Sequence, residues 1–483
     1  MMMKSFTCLT VGLTTLMTAV SGTAIVRDTF KAPTTAPGQS SSIYNGANNG
    51  TLKNGPIVSG KSFDRIINIW LENTDFEDAA TISQFQKVAE QGVLMNSYYA
   101  VTHPSEPNYM ASVFGDFFGL GDDDYWYVPN NITNLFDVLN DGKVSWACYE
   151  ENMPFTGYQQ FNYSQPNYIS PNATKPYTYY VRKHNPCAFA QEAGTNADYA
   201  IRNRNFNDFA ADLNASALPQ WMFITPNMVN DAHDSTVQYV GNWTDYWLLP
   251  LLENPKFNDN RTLILLTFDE NENYGENNQI FTVALGGALP SELKNTTDST
   301  YYTHYSSIST VEANWGLKNL GRGDVQKGMN NVFDWVAKTT GFKNQNVTGD
   351  AIPLTNLTGI FNGPFNPDQT TLFYAPNDTT VIGAGGQAVL VKDGLDKSIT
   401  LANVKPVNMT ALNTISPFDS IALEFAKTNP VAVGGNKEVN VSTAATIVGS
   451  SATTSSHDGA SSILINVGLL VFVCASSMAT TLL

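Results

Sequence analysis

The sequence predicts an α/β fold built on a largely parallel β-sheet flanked by helices. Four short apolar runs at 65–71, 221–225, 262–268 and 280–285 are rich in the β-branched and aromatic residues of buried strands. Helix-like stretches lie between and after them: Thr81 to Glu90, Thr133 to Leu139, Asn205 to Leu213 and Val325 to Thr339. Short buried strands alternating with helices imply crossover connections, and those suit parallel strands. Acidic and amide residues directly follow three of the runs, on the edge where open α/β sheets bind ligands.

Residues 1–24 read as a secretory signal. Lys4 supplies a short positive region, Phe6 to Val20 is apolar but too short to span a bilayer, and the small residues Ser21 to Ala24 suit cleavage. A buried N-terminal helix is the alternative. Residues 25–62, rich in Gly, Ser, Asn and Pro, read as a loose leader before the main domain at 63–345. Residues 346–440 change character: runs such as Thr371-Leu372-Phe373-Tyr374 and Ala388-Val389-Leu390-Val391 alternate with turn signals, predicting a small β-rich C-terminal region. A Ser/Thr-rich stalk follows at 441–462. Residues 463–483 are apolar and uncharged, and Gly449, Ser450 and Ser451 could form an attachment site, the pattern of a GPI signal. A transmembrane helix and a discarded tail are the other readings; the lack of a cationic cluster after it favours the anchor.

Sequons fit a secreted chain. Thirteen occur, at Asn49, Asn131, Asn162, Asn172, Asn214, Asn242, Asn260, Asn295, Asn346, Asn356, Asn377, Asn408 and Asn440. Of the four cysteines, Cys8 leaves with the signal and Cys474 lies in the tail. Cys148 and Cys187 remain, and in an oxidising compartment they would form one disulfide. A net charge of −17 excludes electrostatic nucleic-acid binding. It also repels phosphate esters, so binding one would require a local cation or metal. Composition leaves oligomeric state open.

The chemistry is concentrated after the strands. The first run ends in Glu72-Asn73-Thr74-Asp75 and the third in Asp269-Glu270-Asn271-Glu272, while the second leads into Asn227 to Asp234. One acid after a strand is often a helix cap; three such segments with oxygen ligands and a histidine have the composition of a divalent metal site, whose metal the sequence does not identify. In Thr102-His103-Pro104-Ser105-Glu106-Pro107-Asn108-Tyr109, Pro107 suits an early helical position. Ser105 would then stand at a helix N-terminus, where amides and the dipole favour an anion. It could equally be only a cap. As a nucleophile its hydroxyl needs activation, which a neighbouring metal provides. Of the five histidines, His457 is in the stalk; His103, His184, His233 and His304 sit beside acids, Pro or Lys. At acidic pH an unligated histidine could bind phosphate or donate a proton.

Five segments carry a resemblance: Trp70-Leu71-Glu72-Asn73-Thr74, His103-Pro104-Ser105-Glu106-Pro107-Asn108-Tyr109, Asn230-Asp231-Ala232-His233-Asp234, Thr267-Phe268-Asp269-Glu270 and Thr303-His304-Tyr305-Ser306. In this order they resemble the phosphoesterase family of the alkaline phosphatase-like superfamily, which includes fungal phosphate-repressible acid phosphatases and bacterial phospholipases C. The resemblance implies an alkaline phosphatase-like sheet, and a catalytic domain at 63–345 that hydrolyses phosphate monoesters. It implies metal ligands at Glu72, Asn73, Asp269 and Glu270, and a nucleophile at Ser105. It also implies that Asn108 touches the phosphate, and that His103, Asp231, His233 and His304 complete the pocket as phosphate binders, further ligands or general acid. His184 is a further substrate-binding candidate. The continuation Asn271-Glu272-Asn273-Tyr274-Gly275-Glu276 departs from the Gly-rich, aromatic run of many relatives. The alternatives are a phospholipase C-type phosphodiesterase and a catalytically silent cell-wall glycoprotein.

Overall fold

The structure is a computed structural model that describes residues 50–123, 126, 128–167, 174–353 and 373–403. The predicted signal, stalk and apolar tail, the leader before residue 50 and the C-terminal region beyond 403 lie outside the described residues. So do Asn49, Asn172, Asn356, Asn408 and Asn440.

Eight strands form the main sheet: β1 (Arg65–Leu71), β2 (Val93–Met95), β3 (Trp146–Glu150), β4 (Asn203–Asn205), β5 (Trp221–Thr225), β6 (Thr262–Phe268), β7 (Val283–Leu285) and β8 (Thr296–Asp298). Their order is β8-β2-β7-β6-β1-β5-β3-β4. β7 runs antiparallel to β2 and β6, and every other pairing is parallel. The three strands predicted most directly, β1, β5 and β6, lie side by side at the centre, with Leu71 opposite Phe268 and Ile69 opposite Ile224. Central parallel strands are covered on both faces, which is why β6 is buried at every position and reads as a continuous apolar run. Truncating a core side chain such as Ile67 to Ala would cost about 2–5 kcal/mol.

Three of the four predicted helical stretches lie close to where the sequence places them. Residues Phe76–Thr81 and Ser83–Glu90 form two helices where one was expected, and Leu135–Asp141 and Phe206–Asn214 each begin at an asparagine capping box. The expected stretch from Val325 becomes helical only at Asp334–Thr340. A further 16-residue helix, Val237–Leu252, with Pro250 near its end, lies where the sequence reading places none.

Two segments differ from expectation. Residues 50–62 are docked on the domain: Leu52 N–H donates to Asp212, Val58 N–H to Gln220, and Trp315 Nε1 to the Val58 carbonyl. Backbone groups of a Gly- and Pro-rich segment find acceptors there that composition does not reveal. In the C-terminal region, the described residues 373–403 form isolated bridges rather than strands, Asn319 to Val389 and Ala375 to Thr400. Their polar groups bond to the domain instead, as the Leu390 carbonyl does in accepting from Thr133 Oγ1. The Cys148–Cys187 disulfide is present, with 6.1 Å between the Cα atoms. No described helix is long and apolar enough to cross a membrane.

Candidate active site

The carboxyl ends of β1, β5 and β6 are drawn together beyond the sheet by backbone hydrogen bonds. Asp269 N–H donates to the Leu71 carbonyl at 2.8 Å, Glu72 N–H to the Asp231 carbonyl at 2.9 Å, and Thr74 N–H to the Glu270 carbonyl at 3.3 Å. Each predicted acidic segment is thereby pinned to its neighbour. In the loop after β5, Asn227 Oδ1 accepts from the Val229 and Asn230 amides, both at 3.0 Å. This turn lets Ala232 adopt φ 98°, a left-handed conformation costly for a residue with a Cβ, beside His233.

Ser105 is the first residue of the buried helix Ser105–Phe114. Its Oγ donates to Glu72 Oε2 at 3.2 Å. The same Glu72 oxygen lies 3.2 Å from His184 Nε2, and Tyr109 Oη donates to Glu72 Oε1. His184 Nδ1 stands 3.6 Å from Asp231 Oδ2, and Tyr109 stacks on the His184 ring at 5.3 Å. Glu72, Asp231 and Asp269 are fully buried. Burial first, then the adjoining carboxylates Asp269, Glu72 and Glu270 respectively, push all three carboxyls well above the usual range.

A buried acidic cluster of this density fits a divalent cation. Asn73 Oδ1, Asp231 Oδ2 and Asp269 Oδ2 are buried without accepting a hydrogen bond. One ligand atom each from Glu72, His184 and His233 falls within 4.8 Å of the others. One predicted ligand, Glu72, thus converges with two histidines, while Asn73, Asp269 and Glu270 form the adjoining oxygen-rich wall.

The other predicted residues take supporting places. Asn73 Nδ2 donates to Glu270 Oε1 at 2.9 Å. Asn108 Oδ1 accepts from the Val101 and Thr102 amides, and its Nδ2 donates to the Thr102 carbonyl at 2.8 Å and to Glu270 Oε2 at 3.1 Å. It ties the loop before Ser105 to the carboxylates. His103 Nδ1 lies 2.9 Å from Glu270 Oε2, with its ring stacked on Tyr274 at 3.9 Å. His304 Nε2 lies 2.6 Å from the Asp269 carbonyl, with its ring 4.2 Å from that of Trp70. Burial lowers both histidines to about 3, so neither is a cation in mildly acidic solution. That differs from the expectation of protonated histidines, which rested on exposure the fold denies them. His233 is the more open ring, at 18% side-chain exposure.

Sequence reasoning passed over three residues of the cluster. Lys183 Nζ lies 3.2 Å from Asp123 Oδ2 and 3.1 Å from His233 Nε2. Asp123 Oδ1 accepts from the Glu106 amide at 2.9 Å. Tyr109 lies within a quoted motif and Lys183 adjoins His184, but nothing in either pattern shows that they face Glu72 and His233.

A phosphoesterase family model matches residues 70–318, which spans all of these segments. The chain belongs to the phosphoesterase family. It is 44% identical over 333 residues to a probable acid phosphatase of Kluyveromyces lactis, covering 69% of this chain and 75% of that protein. It is 40% identical over 363 residues to a phosphate-repressible acid phosphatase of Penicillium chrysogenum, covering 74% and 84%. Among solved structures, a protein of the alkaline phosphatase superfamily from Vibrio parahaemolyticus aligns with 84% of this chain and 93% of its own, at 11% identity and a TM-score of 0.34.

Proposed function

We propose that this phosphoesterase is a secreted acid phosphatase of the cell surface. In this reading it hydrolyses small phosphate monoesters through Ser105, serves phosphate scavenging, and is held to the membrane by a GPI anchor. One observation carries the catalytic part: a serine hydroxyl at the first residue of a buried helix lies 3.2 Å from a carboxylate that also meets a histidine. The phosphatase names of its relatives support the substrate class.

Glu72 Oε2 accepts from the Ser105 hydroxyl and fixes its direction. Ser105 Oγ attacks phosphorus, the bond to the alcohol oxygen breaks, and the hydroxyl proton passes through water on the more open His233 side to that oxygen. Water then hydrolyses the phosphoserine and restores the hydroxyl. Glu72, His184 and His233 would hold a divalent cation, which when bound supplies charge neutralisation and a more nucleophilic serine oxygen. Asn108, His103 and His304 keep Glu270 and Asp269 in place. A silent glycoprotein is disfavoured by the buried, costly carboxylates, which serve no evident packing purpose.

The test is p-nitrophenyl phosphate turnover by purified wild-type and Ser105→Ala protein at acidic pH, with a fall of about a thousandfold or more expected. Wild-type rates in the alanine variant would sink the assignment. Glycan occupancy is checked by the mass shift on enzymatic deglycosylation; the described sequon asparagines, Asn131, Asn162, Asn214, Asn242, Asn260, Asn295, Asn346 and Asn377, are exposed or half-buried.

A further inference from the structure

A phosphate monoester brings up to two negative charges into a chain of net charge −17, beside the carboxylates of Glu72, Asp231, Asp234 and Asp269. Backbone amides at the nucleophile's helix offer less help than the sequence suggests. The Glu106 N–H is already taken by Asp123 Oδ1, and Pro107 has none. Beyond what a bound cation would neutralise, positive charge for the ester comes from side chains.

Lys183 Nζ stands 3.2 Å from Asp123 Oδ2 and 3.1 Å from His233 Nε2, and its charge acts on both Glu72 and Asp234. Arg182 next to it turns away, with Nη2 donating to the Ala188 carbonyl and the guanidinium over the Phe189 ring. Lys183 is braced by Asp123, which also holds the amide of the residue after Ser105, so the ammonium is registered to the nucleophile's helix. Lysine only donates, so His233 Nε2 is the acceptor in their 3.1 Å contact, and Nδ1 carries the proton toward Asp234 Oδ1 at 2.8 Å. When His233 gives its Nε2 lone pair to another partner, that Lys183 N–H is released for an anion.

We propose that Lys183, held between Asp123 and His233, receives the second negative charge of a monoester phosphate and thereby sets a preference for monoesters over diesters. This rests on the phosphatase reading and deepens it. A diester has one negative charge and a second alkyl group where the ammonium would bond, so it gains little from Lys183.

The experiment compares p-nitrophenyl phosphate with bis(p-nitrophenyl) phosphate in wild type, Lys183→Met and Lys183→Arg, with metal content measured for each. Loss of a charge-assisted hydrogen bond predicts that Lys183→Met lowers monoester kcat/KM about 10- to 100-fold and weakens inhibition by inorganic phosphate similarly. Diester turnover should change less than about threefold, metal content should hold, and Lys183→Arg should restore part of the preference. Equal losses on both substrates, or no loss on either, overturn the proposal and make Lys183 a structural partner of Asp123. If Lys183→Met fails to fold because Asp123 is left buried and unpaired, Lys183→Met with Asp123→Asn removes that charge and keeps an acceptor for Glu106. The same substrate ratio then decides. Wild type inactive on both esters would instead refute the phosphatase reading itself.

Discussion

Ser105 Oγ and Glu72 Oε2 stand 3.2 Å apart although 33 residues separate them in the chain. The contact is made because Glu72 directly follows a central strand and Ser105 opens a helix packed over that strand's end, with Trp70 wedged against Tyr109 at 5.0 Å. Glu72→Gln keeps the shape and removes the charge. Turnover of a monoester should fall on the order of a hundred- to a thousandfold, with a parallel fall in bound metal measured by elemental analysis. Full metal content at a reduced rate would assign Glu72 to orienting Ser105 alone.

Removing the metal should invert the pH dependence of stability at the site. Glu72, Asp231 and Asp269 have carboxyls raised above their ordinary 4.5 and 3.8, so the folded state holds protons that the unfolded chain has lost. Their contribution is fully present below pH 3.8 and is lost as pH rises through the raised values. His103 and His304 act oppositely, losing stability between 6.5 and about 3 as pH falls, but they are fewer. Chelator-treated protein should therefore melt higher near pH 4 than near pH 7, and a divalent cation should raise the neutral melting temperature most. Thermal denaturation at both pH values, with and without chelator, checks it.

We predict that His304 positions Asp269, whose carbonyl lies 2.6 Å from its Nε2. His304→Phe keeps the ring beside Trp70 but loses the contact at the Asp269 carbonyl. A fall of about tenfold in kcat is expected. The acid limb of the pH–rate profile should not move, because burial already keeps this ring neutral down to about 3. A shifted acid limb would show that His304 titrates in the reaction.

The Cys148–Cys187 bond joins β3 to the turn Pro186–Ala188, which directly follows the turn carrying Lys183 and His184, and closes a loop with a sequence separation of 39. Replacing both cysteines by serine should lower unfolding free energy by about 3–4 kcal/mol, read from denaturant midpoints. Metal affinity should fall as well, since His184 loses its tether. Reduced stability with unchanged metal affinity would confine the disulfide to the fold.

The central strands and the acidic segments after them were legible because burial on both faces leaves long apolar runs and because the polar residues at their ends interrupt those runs abruptly. Strand β4, Asn-Arg-Asn at 203–205, was not legible. It has no apolar pattern, and its side chains are buried through hydrogen bonds and ion pairs, as Arg204 Nε shows with Asp212 at 2.9 Å. The roles of the histidines were only half legible. Sequence shows His103 beside Ser105, but not that Tyr274 stacks on the ring and Glu270 takes its nitrogen.

By itself the sequence determined that three oxygen-rich segments follow parallel strands and that one serine opens a helix, since periodicity and turn chemistry are local properties. Tertiary structure alone decided which donors converge. Glu72, His184 and His233 come from segments 112 and 49 residues apart, and only the crossover geometry of the sheet brings their atoms within 4.8 Å. It also decided which side chains water can reach, and so which histidines can carry charge: desolvation depends on everything packed around a ring, and no local pattern encodes that.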